Sequence, residues 1–263
     1  MTKVRRSDYW NVDYYNYWLA RVQEANSQNS VNSNVCRRDF ITTGDKEYFA
    51  DIDLLDINNE DFVLEVGCGF GRSIPYLYQK TKKVFGIDIS DAMIKHAQKT
   101  CKHFPNVLLE VCEAEKTNFK NKYFDKIICY GVFDALQQVD ALIEFNRLLK
   151  LQGHVLITGK NNNYFVDDEL ALLAENNAFL KNHPNFFTDV RYLLNNIYKF
   201  GFTVCKSKFF LRRGDTAKGK YLTDLPENFY QFTLTLKKIS EPYDNVSDLI
   251  ISAQHSLTFK NTN

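Results

Sequence analysis

Three glycines at alternate positions, Gly67, Gly69 and Gly71, follow directly on the apolar run Val63-Leu64-Glu65-Val66. A second apolar run, Val84-Phe85-Gly86-Ile87, ends in Asp88. Glycines let a backbone come close to a ligand where a Cβ would collide. An acid about 20 residues past such a loop, at the end of the next strand, is placed to bond ribose hydroxyls. The chemistry these residues imply is the binding of an adenosine-type cofactor. A dinucleotide site would follow G-x-G-x-x-G, but here the third glycine comes one residue early and Arg72 stands in its place. Glu65, just before the loop, is a poor neighbour for a pyrophosphate and a good one for a cation or an amine. Two further side chains are candidates for a general base toward a bound hydroxyl, Asp134 and His183.

These groups need a scaffold, and the chain supplies an alternation of strands and helices from residue 61 to 160. That order predicts a parallel sheet with right-handed crossovers. Ser90-Asp91 opens a helix over 92–102 with a serine cap and an acid in its first turn. Val107 to Val111 reads as the third strand and Phe124 to Tyr130 as the fourth. Asn161-Asn162-Asn163 leaves the fifth strand at its carboxyl end, and 167–181 reads as an inserted helix that carries His183 just beyond it. Ligands of open α/β sheets bind outside the carboxyl ends of the strands, so this insert belongs to the substrate side. Asp134, just after strand four, faces the same region. Thr188-Asp189 caps a helix to Phe200, stopped by Gly201. The final strands fall at 202–211 and 228–237, with a polar loop between them and a further helix expected at 247–255. Before the core, residues 1–50 hold both tryptophans, in Trp10-Asn11-Val12-Asp13-Tyr14-Tyr15-Asn16-Tyr17-Trp18. A helix from Tyr14 to Ala25 and a Ser/Asn-rich loop over 26–34 are expected there. Aromatic faces suit a cationic ligand, which makes this segment a candidate lid.

The run Glu65 to Gly71 resembles the first motif of class I S-adenosylmethionine-dependent methyltransferases. The resemblance continues through Asp88, Glu113-Ala114, the strand Phe124 to Tyr130, and Leu148 to Ile157 with Gly153 leading into strand five. It implies an α/β fold, doubly wound and mainly parallel with seven strands, the Rossmann-like methyltransferase fold. It also implies an antiparallel edge hairpin, an N-terminal helical lid and an insert after strand five. One domain is expected over 1–263, divided as lid 1–50, cofactor-binding core 51–160, insert 161–186, C-terminal helix and edge strands 187–240, and tail 241–263. The resemblance assigns S-adenosyl-L-methionine as the cofactor. Glu65, Gly67, Gly69 and Gly71 would hold its methionine part and Asp88 its ribose. Ile89 and Met93 would flank the adenine, Glu113 and Ala114 would reach the adenine amine, and Tyr130 would line the pocket near the sulfonium. Glu113 departs from the Asp usual at that place.

Methyl transfer from this cofactor requires positioning more than a fixed catalytic motif. No N/D/S-P-P-Y/F/W stands after strand four, where Cys129-Tyr130-Gly131-Val132-Phe133 is found, which argues against methylation of base amino groups. No Pro-Cys pair is present, which argues against C5 methylation of pyrimidines. A net charge of +1 over 263 residues argues against a nucleic-acid track. Polar and basic residues near the expected mouth, among them Arg37, Arg38, Lys46, Arg212 and Arg213, suit a hydroxylated or anionic acceptor. The expected reaction is methylation of an oxygen on a small polar acceptor, a sugar or anionic metabolite, as in surface-polysaccharide modification. The alternatives are N-methylation of an amine or a protein side chain, and a non-catalytic binding protein. No apolar stretch reaches the length of a membrane span and no signal-peptide pattern opens the chain. The six cysteines are scattered without a C-x-x-C pair, so reduced thiols, no metal and a cytoplasmic monomer or homodimer are expected.

Overall fold

The computed structural model of the chain describes residues 6–20 and 45–254. The expected 26–34 loop, Arg37, Arg38, Cys36 and His255 lie outside the described residues.

The first described element is helical throughout: an α-turn over Arg6–Tyr9, a π-helical turn over Trp10–Tyr14, and α-helix again over 15–20. A second helix, α1 (Asp45–Ile52), precedes the core. The core then runs β1 (Phe62–Val66), α2 (Ile74–Tyr78), β2 (Lys83–Asp88), α3 (Asp91–Thr100), β3 (Val107–Val111), β4 (Phe124–Cys129), α4 (Gln138–Leu148) and β5 (Leu149–Lys160). The insert supplies α5 (Glu169–Leu180) and β6 (Phe186–Thr188). The chain closes with α6 (Val190–Asn196), β7 (Phe202–Phe210), β8 (Gln231–Lys238) and β9 (Ser252–Gln254).

Seven strands form one sheet in the order β3-β2-β1-β4-β5-β8-β7. The first five pair in parallel, while β8 runs antiparallel to both β5 and β7. The fold expected from the sequence is therefore present, edge hairpin included. The central strands are almost wholly apolar because helices cover both of their faces. Successive residues point to opposite layers. Leu64, Ile127 and Val155 enter one core with Phe124, Phe145 and Phe200, while Val63, Ile128 and Leu156 enter the other with Ile52, Ile74 and Leu77.

Strand order reverses between β1 and β4, so the crevice of this sheet opens at their carboxyl ends. Local caps fix where the helices begin. The Ser90 hydroxyl accepts from the Met93 N–H, Asp168 from Ala171 and Asp189 from Tyr192.

One expectation is corrected. The tail does not form a helix over 247–255. Val246–Asp248 makes one 3-10 turn, and β9 then pairs antiparallel with β6. Val246 and Ile251 are buried on either side of that turn, and the Asp189 N–H donates to the Ile251 carbonyl at 2.8 Å. The tail thus supplies the partner that the short strand β6 would otherwise lack. No helix among the described residues is long and apolar enough to cross a membrane.

Asn146 joins α4 to the edge hairpin. Its buried side-chain amide donates to the carbonyls of Phe200 at 2.8 Å and Ser240 at 2.9 Å, and its backbone carbonyl accepts from the buried Lys238 ammonium at 2.8 Å. Asn146→Leu should leave the buried Phe200 carbonyl and the part-buried Ser240 carbonyl without this donor and cost about 2 kcal/mol in urea unfolding. A change under about 0.5 kcal/mol would mean the clasp is not a stabilising feature.

Candidate functional site

Beyond β1 the chain turns through Gly67, Gly69 and Gly71 with φ of +67°, +52° and +77°, a left-handed backbone open to glycine at low cost. Gly67 has a second constraint, since a Cβ there would lie 2.3 Å from Val132 Cγ2. The loop curls over the end of β2. The Gly69 N–H donates to Asp88 Oδ2 at 3.0 Å, and the Ser90 N–H donates to Asp88 Oδ1 at 2.8 Å. Burial raises the Asp88 carboxyl above its ordinary range, and these two donors oppose that rise.

A cavity of about 420 Å3 lies over the carboxyl ends of β1, β2, β4 and β5. One half is walled by the glycine loop, Glu65, Asp88, Ile89, Met93 and Ala114. Glu65 is the most constrained group in it. Its Oε1 accepts from Tyr48 Oη at 2.8 Å and, at closer range, from Ser73 Oγ. Its Oε2 is buried with no hydrogen-bond partner. Burial pushes this carboxyl up to about 7. The Arg72 guanidinium stands 5.1 Å from the Tyr48 ring centroid, and Tyr48 packs on Tyr130 with centroids 4.4 Å apart. A buried carboxyl oxygen with no partner suits a ligand that brings a cationic donor, such as an amino group, whose charge favours the ionised form.

The N-terminal helix lies along this cavity, with Trp10, Tyr14 and Trp18 in its wall. Asn11 clips it to the start of α3: Oδ1 accepts from Ser90 Oγ at 2.9 Å and from the Ala92 N–H at 3.3 Å. Tyr15 packs on Phe70 of the glycine loop with centroids 5.5 Å apart. The π-helical turn over Trp10–Tyr14 sits where the helix meets the cavity, a setting in which such turns are frequent.

The other half of the cavity is polar. Lys160 ends β5 largely buried, its side chain 15% exposed, with its ammonium 3.1 Å from Asp134 Oδ2, 3.2 Å from Glu175 and 3.0 Å from Asn185 Oδ1. The two carboxylates outweigh the cost of burial and hold Lys160 well above the usual lysine range. Tyr230 donates to Glu175 and accepts from Arg213 Nη1 at 2.8 Å. His183 sits among Tyr9, Trp10 and Tyr14, with Nδ1 2.9 Å from Tyr9 Oη. Burial lowers His183 to about 4, so its ring is neutral at pH 7.

Eight of the ten residues assigned to the cofactor from the sequence line this one cavity: Glu65, Gly67, Gly69, Asp88, Ile89, Met93, Ala114 and Tyr130. Gly71 does not. It packs beneath the loop, where a Cβ would lie 3.0 Å from Cys101 Sγ. Glu113 does not either. It is exposed, and its neighbours Cys112 and Ala114 form the wall there. Both base candidates, Asp134 and His183, line the opposite half. Of the polar residues expected at the mouth, Arg213 lines the cavity. Lys46 is exposed elsewhere, and Asn161 is buried, donating to the carbonyls of Asn163 and Phe229. Sequence reasoning missed Tyr48, Lys160 and Glu175. Lys160 could have been found as the last residue of strand five. Tyr48 and Glu175 lie on helices whose patterns carry no trace of the site.

Residues 63–153 match the family model described as a methyltransferase domain. The uncharacterized protein MJ1252 of Methanocaldococcus jannaschii is 31% identical over 164 residues, spanning 62% of this chain and 52% of that protein. The chain thus spans about half the length of the curated relatives it matches. Among solved structures, the YcgJ protein from Bacillus subtilis superposes with a TM-score of 0.57 at 16% identity, covering 75% of this chain and all of that one. Geranyl diphosphate C-methyltransferase from Streptomyces coelicolor A3(2), solved with Mg2+, geranyl diphosphate and S-adenosyl-L-homocysteine, gives a TM-score of 0.59 at 15% identity, covering 74% of this chain and 78% of that one. The shared fold places the cavity described above at the crevice of the same sheet.

The raised Glu65 carboxyl has a measurable consequence. A group that binds its proton more tightly folded than unfolded destabilises the folded state as pH rises from 4.5 toward about 7. Glu65→Gln removes that penalty. Relative to the natural chain, the variant should gain on the order of 3 kcal/mol of unfolding free energy across that interval in urea titrations without added ligand. A pH-independent difference would mean that Glu65 is not held in its protonated form.

Proposed function

We propose that this chain, whose residues 63–153 form a methyltransferase domain on a class I fold, is an S-adenosylmethionine-dependent methyltransferase. Its acceptor is a small polar molecule, methylated on an oxygen of a sugar or an anionic metabolite. The observation that carries this reading is one cavity with two unlike halves, the first walled by Glu65, Asp88 and the glycine loop, the second by Asp134, Lys160, His183 and Arg213.

When bound, the cofactor supplies an activated methyl group. The residues of the first half fit it. Glu65 Oε2, buried and lacking a donor, is matched to the cofactor's ammonium group, and Asp88 to its ribose hydroxyls. Glu113 has no part in this reading. Trp10, Tyr14 and Trp18 exclude water over the reacting centre and present ring faces to positive charge.

In the second half, Asp134 is tied to Lys160, so it orients groups and is not the proton acceptor. His183 is the base of this reading. In the tautomer whose Nδ1–H donates to Tyr9 Oη, Nε2 keeps a lone pair with which to accept a hydroxyl proton. Methyl recovered on nitrogen in the product would replace the hydroxyl acceptor with an amine, which needs no base of this kind.

The cofactor half is tested by thermal unfolding with S-adenosyl-L-homocysteine or NAD. At about 100 times its dissociation constant the homocysteine ligand should add roughly 2.7 kcal/mol, raising the midpoint by roughly 5 °C, with NAD inert. Asp88→Ala should weaken that ligand by about 10- to 100-fold. A response to NAD alone would overturn the reading. With an acceptor in hand, His183→Ala should lower kcat about 100-fold or more, and Tyr9→Phe less. Unchanged turnover in His183→Ala would remove the base from the mechanism.

A further inference from the structure

A second cavity, of about 450 Å3, adjoins the first, and among the described residues Arg213 is common to both walls. It is formed by the loop between β7 and β8. Gly214 and Gly219 turn this loop at φ of +90° and +62°, with the 3-10 turn Thr216–Lys218 between them. The Thr216 hydroxyl donates to Gln231 Oε1 at 3.0 Å, and Gln231 itself lines the first cavity. The loop is thereby fixed to the edge of the acceptor half.

The charges of this second cavity are arranged unequally. Its two acids serve the backbone. Asp168 accepts from the N–H groups of Ala171 at 3.1 Å and Arg213 at 2.7 Å, and Asp215 accepts from the Arg212 N–H at 3.0 Å. The Arg212 side chain is taken by Asp167 in a two-point contact of 2.9 and 3.1 Å. Lys218 and Lys220 line the cavity and have no ion pair among the described residues. Arg213 is preorganised: its N–H is held by Asp168 and its Nη1 by Tyr230, with the buried Glu175 carboxylate 4.0 Å from Nη1, while its Nε and Nη2 donors have no hydrogen-bond partner among the described residues. Phe165, Leu170 and Leu211 make the apolar part of the wall.

We propose that the second cavity is a phosphoryl subsite, in which Arg213, Lys218 and Lys220 hold a phosphate group of the acceptor while its methylated end lies beside His183. This deepens, and rests on, the reading of the first cavity as a methyl-transfer site. With Arg212, Arg213, Lys218 and Lys220 set against Asp168 and Asp215, the wall keeps an excess of positive charge, which matches a multiply charged oxyanion. A single carboxylate would be satisfied by the arginine fork alone. The acceptor class is therefore a phosphorylated small molecule, such as a sugar phosphate or a nucleotide-linked sugar, whose phosphate and methylated atom stand on opposite sides of Arg213.

Titration calorimetry on the full chain at low salt, with inorganic pyrophosphate, inorganic phosphate and acetate, tests this without knowing the acceptor. Pyrophosphate should bind more tightly than acetate and lose affinity as salt rises. Its affinity should fall at least tenfold in Arg213→Gln and in the double variant Lys218→Ala/Lys220→Ala. That double variant alters exposed side chains, and it should bind S-adenosyl-L-homocysteine within twofold of the natural chain. Pyrophosphate binding no tighter than acetate, or equal in the variants, overturns the subsite whatever the cofactor result. Pyrophosphate binding without any response to the homocysteine ligand would leave the oxyanion site standing and remove the methyl-transfer reading of the first cavity, and with it the assignment of this phosphate to a methyl acceptor.

Discussion

A carboxyl group kept out of water at the end of the central strand organises much of this molecule. Glu65 stands on β1, where both faces of the sheet are covered, and cannot reach solvent. The cost of burying it is met by hydroxyls brought from two other places, Tyr48 on α1 and Ser73 beyond the glycine loop. Those contacts fix the helix that precedes the core and the loop that follows β1 relative to each other. Because the second oxygen is left without a donor, the arrangement is complete only when something in the cavity donates to it. The same group therefore links fold and ligand.

The opposite half is built on the same principle with charges paired internally. Lys160 is largely buried at the end of β5, and a lone buried ammonium would lose its proton or unfold its surroundings. Asp134 from the segment after β4 and Glu175 from the insert close on it, and Tyr230 and Arg213 extend the network to β8 and its loop. The insert is thus anchored by a polar core as well as by the small apolar cluster of Ala171, Phe187 and Tyr230. The outer side of α5 exposes Leu170, Leu173 and Leu180, while Ala171 and Glu175 face inward. A polar network of this kind fixes position better than apolar contact does, because each group has few satisfactory arrangements. That rigidity is what an acceptor needs if its reacting atom must be held in line.

The N-terminal helix couples the two halves. Asn11 accepts from the residues that follow Asp88, and Tyr9 reaches His183, so one short element touches the cofactor side and the acceptor side at once. Its aromatic residues complete the cavity wall between those two anchor points. A ligand in either half therefore lies against the same helix.

What the sequence by itself determined is local or periodic. Apolar runs of strand length, glycines at positions that require left-handed backbone, and the serine or aspartate before α3, α5 and α6 dictate β1 to β5, the loop between β1 and α2, and the starts of those helices. They do so because each depends on a few neighbouring residues and the covalent limits of the chain. Asp88 and Glu65 could be read for the same reason, each standing at a strand end beside the loop. The tail could not: within a stretch compatible with helix, Ser252–Gln254 became a strand by pairing with the edge of β6. The pairing of Lys160 with Asp134 and Glu175, the Tyr48 hydroxyl on Glu65, and the Tyr9–His183 contact between residues 174 apart were decided only by the tertiary structure. These partners are selected by which groups share a dry cavity once the sheet has closed, and no spacing along the chain encodes that.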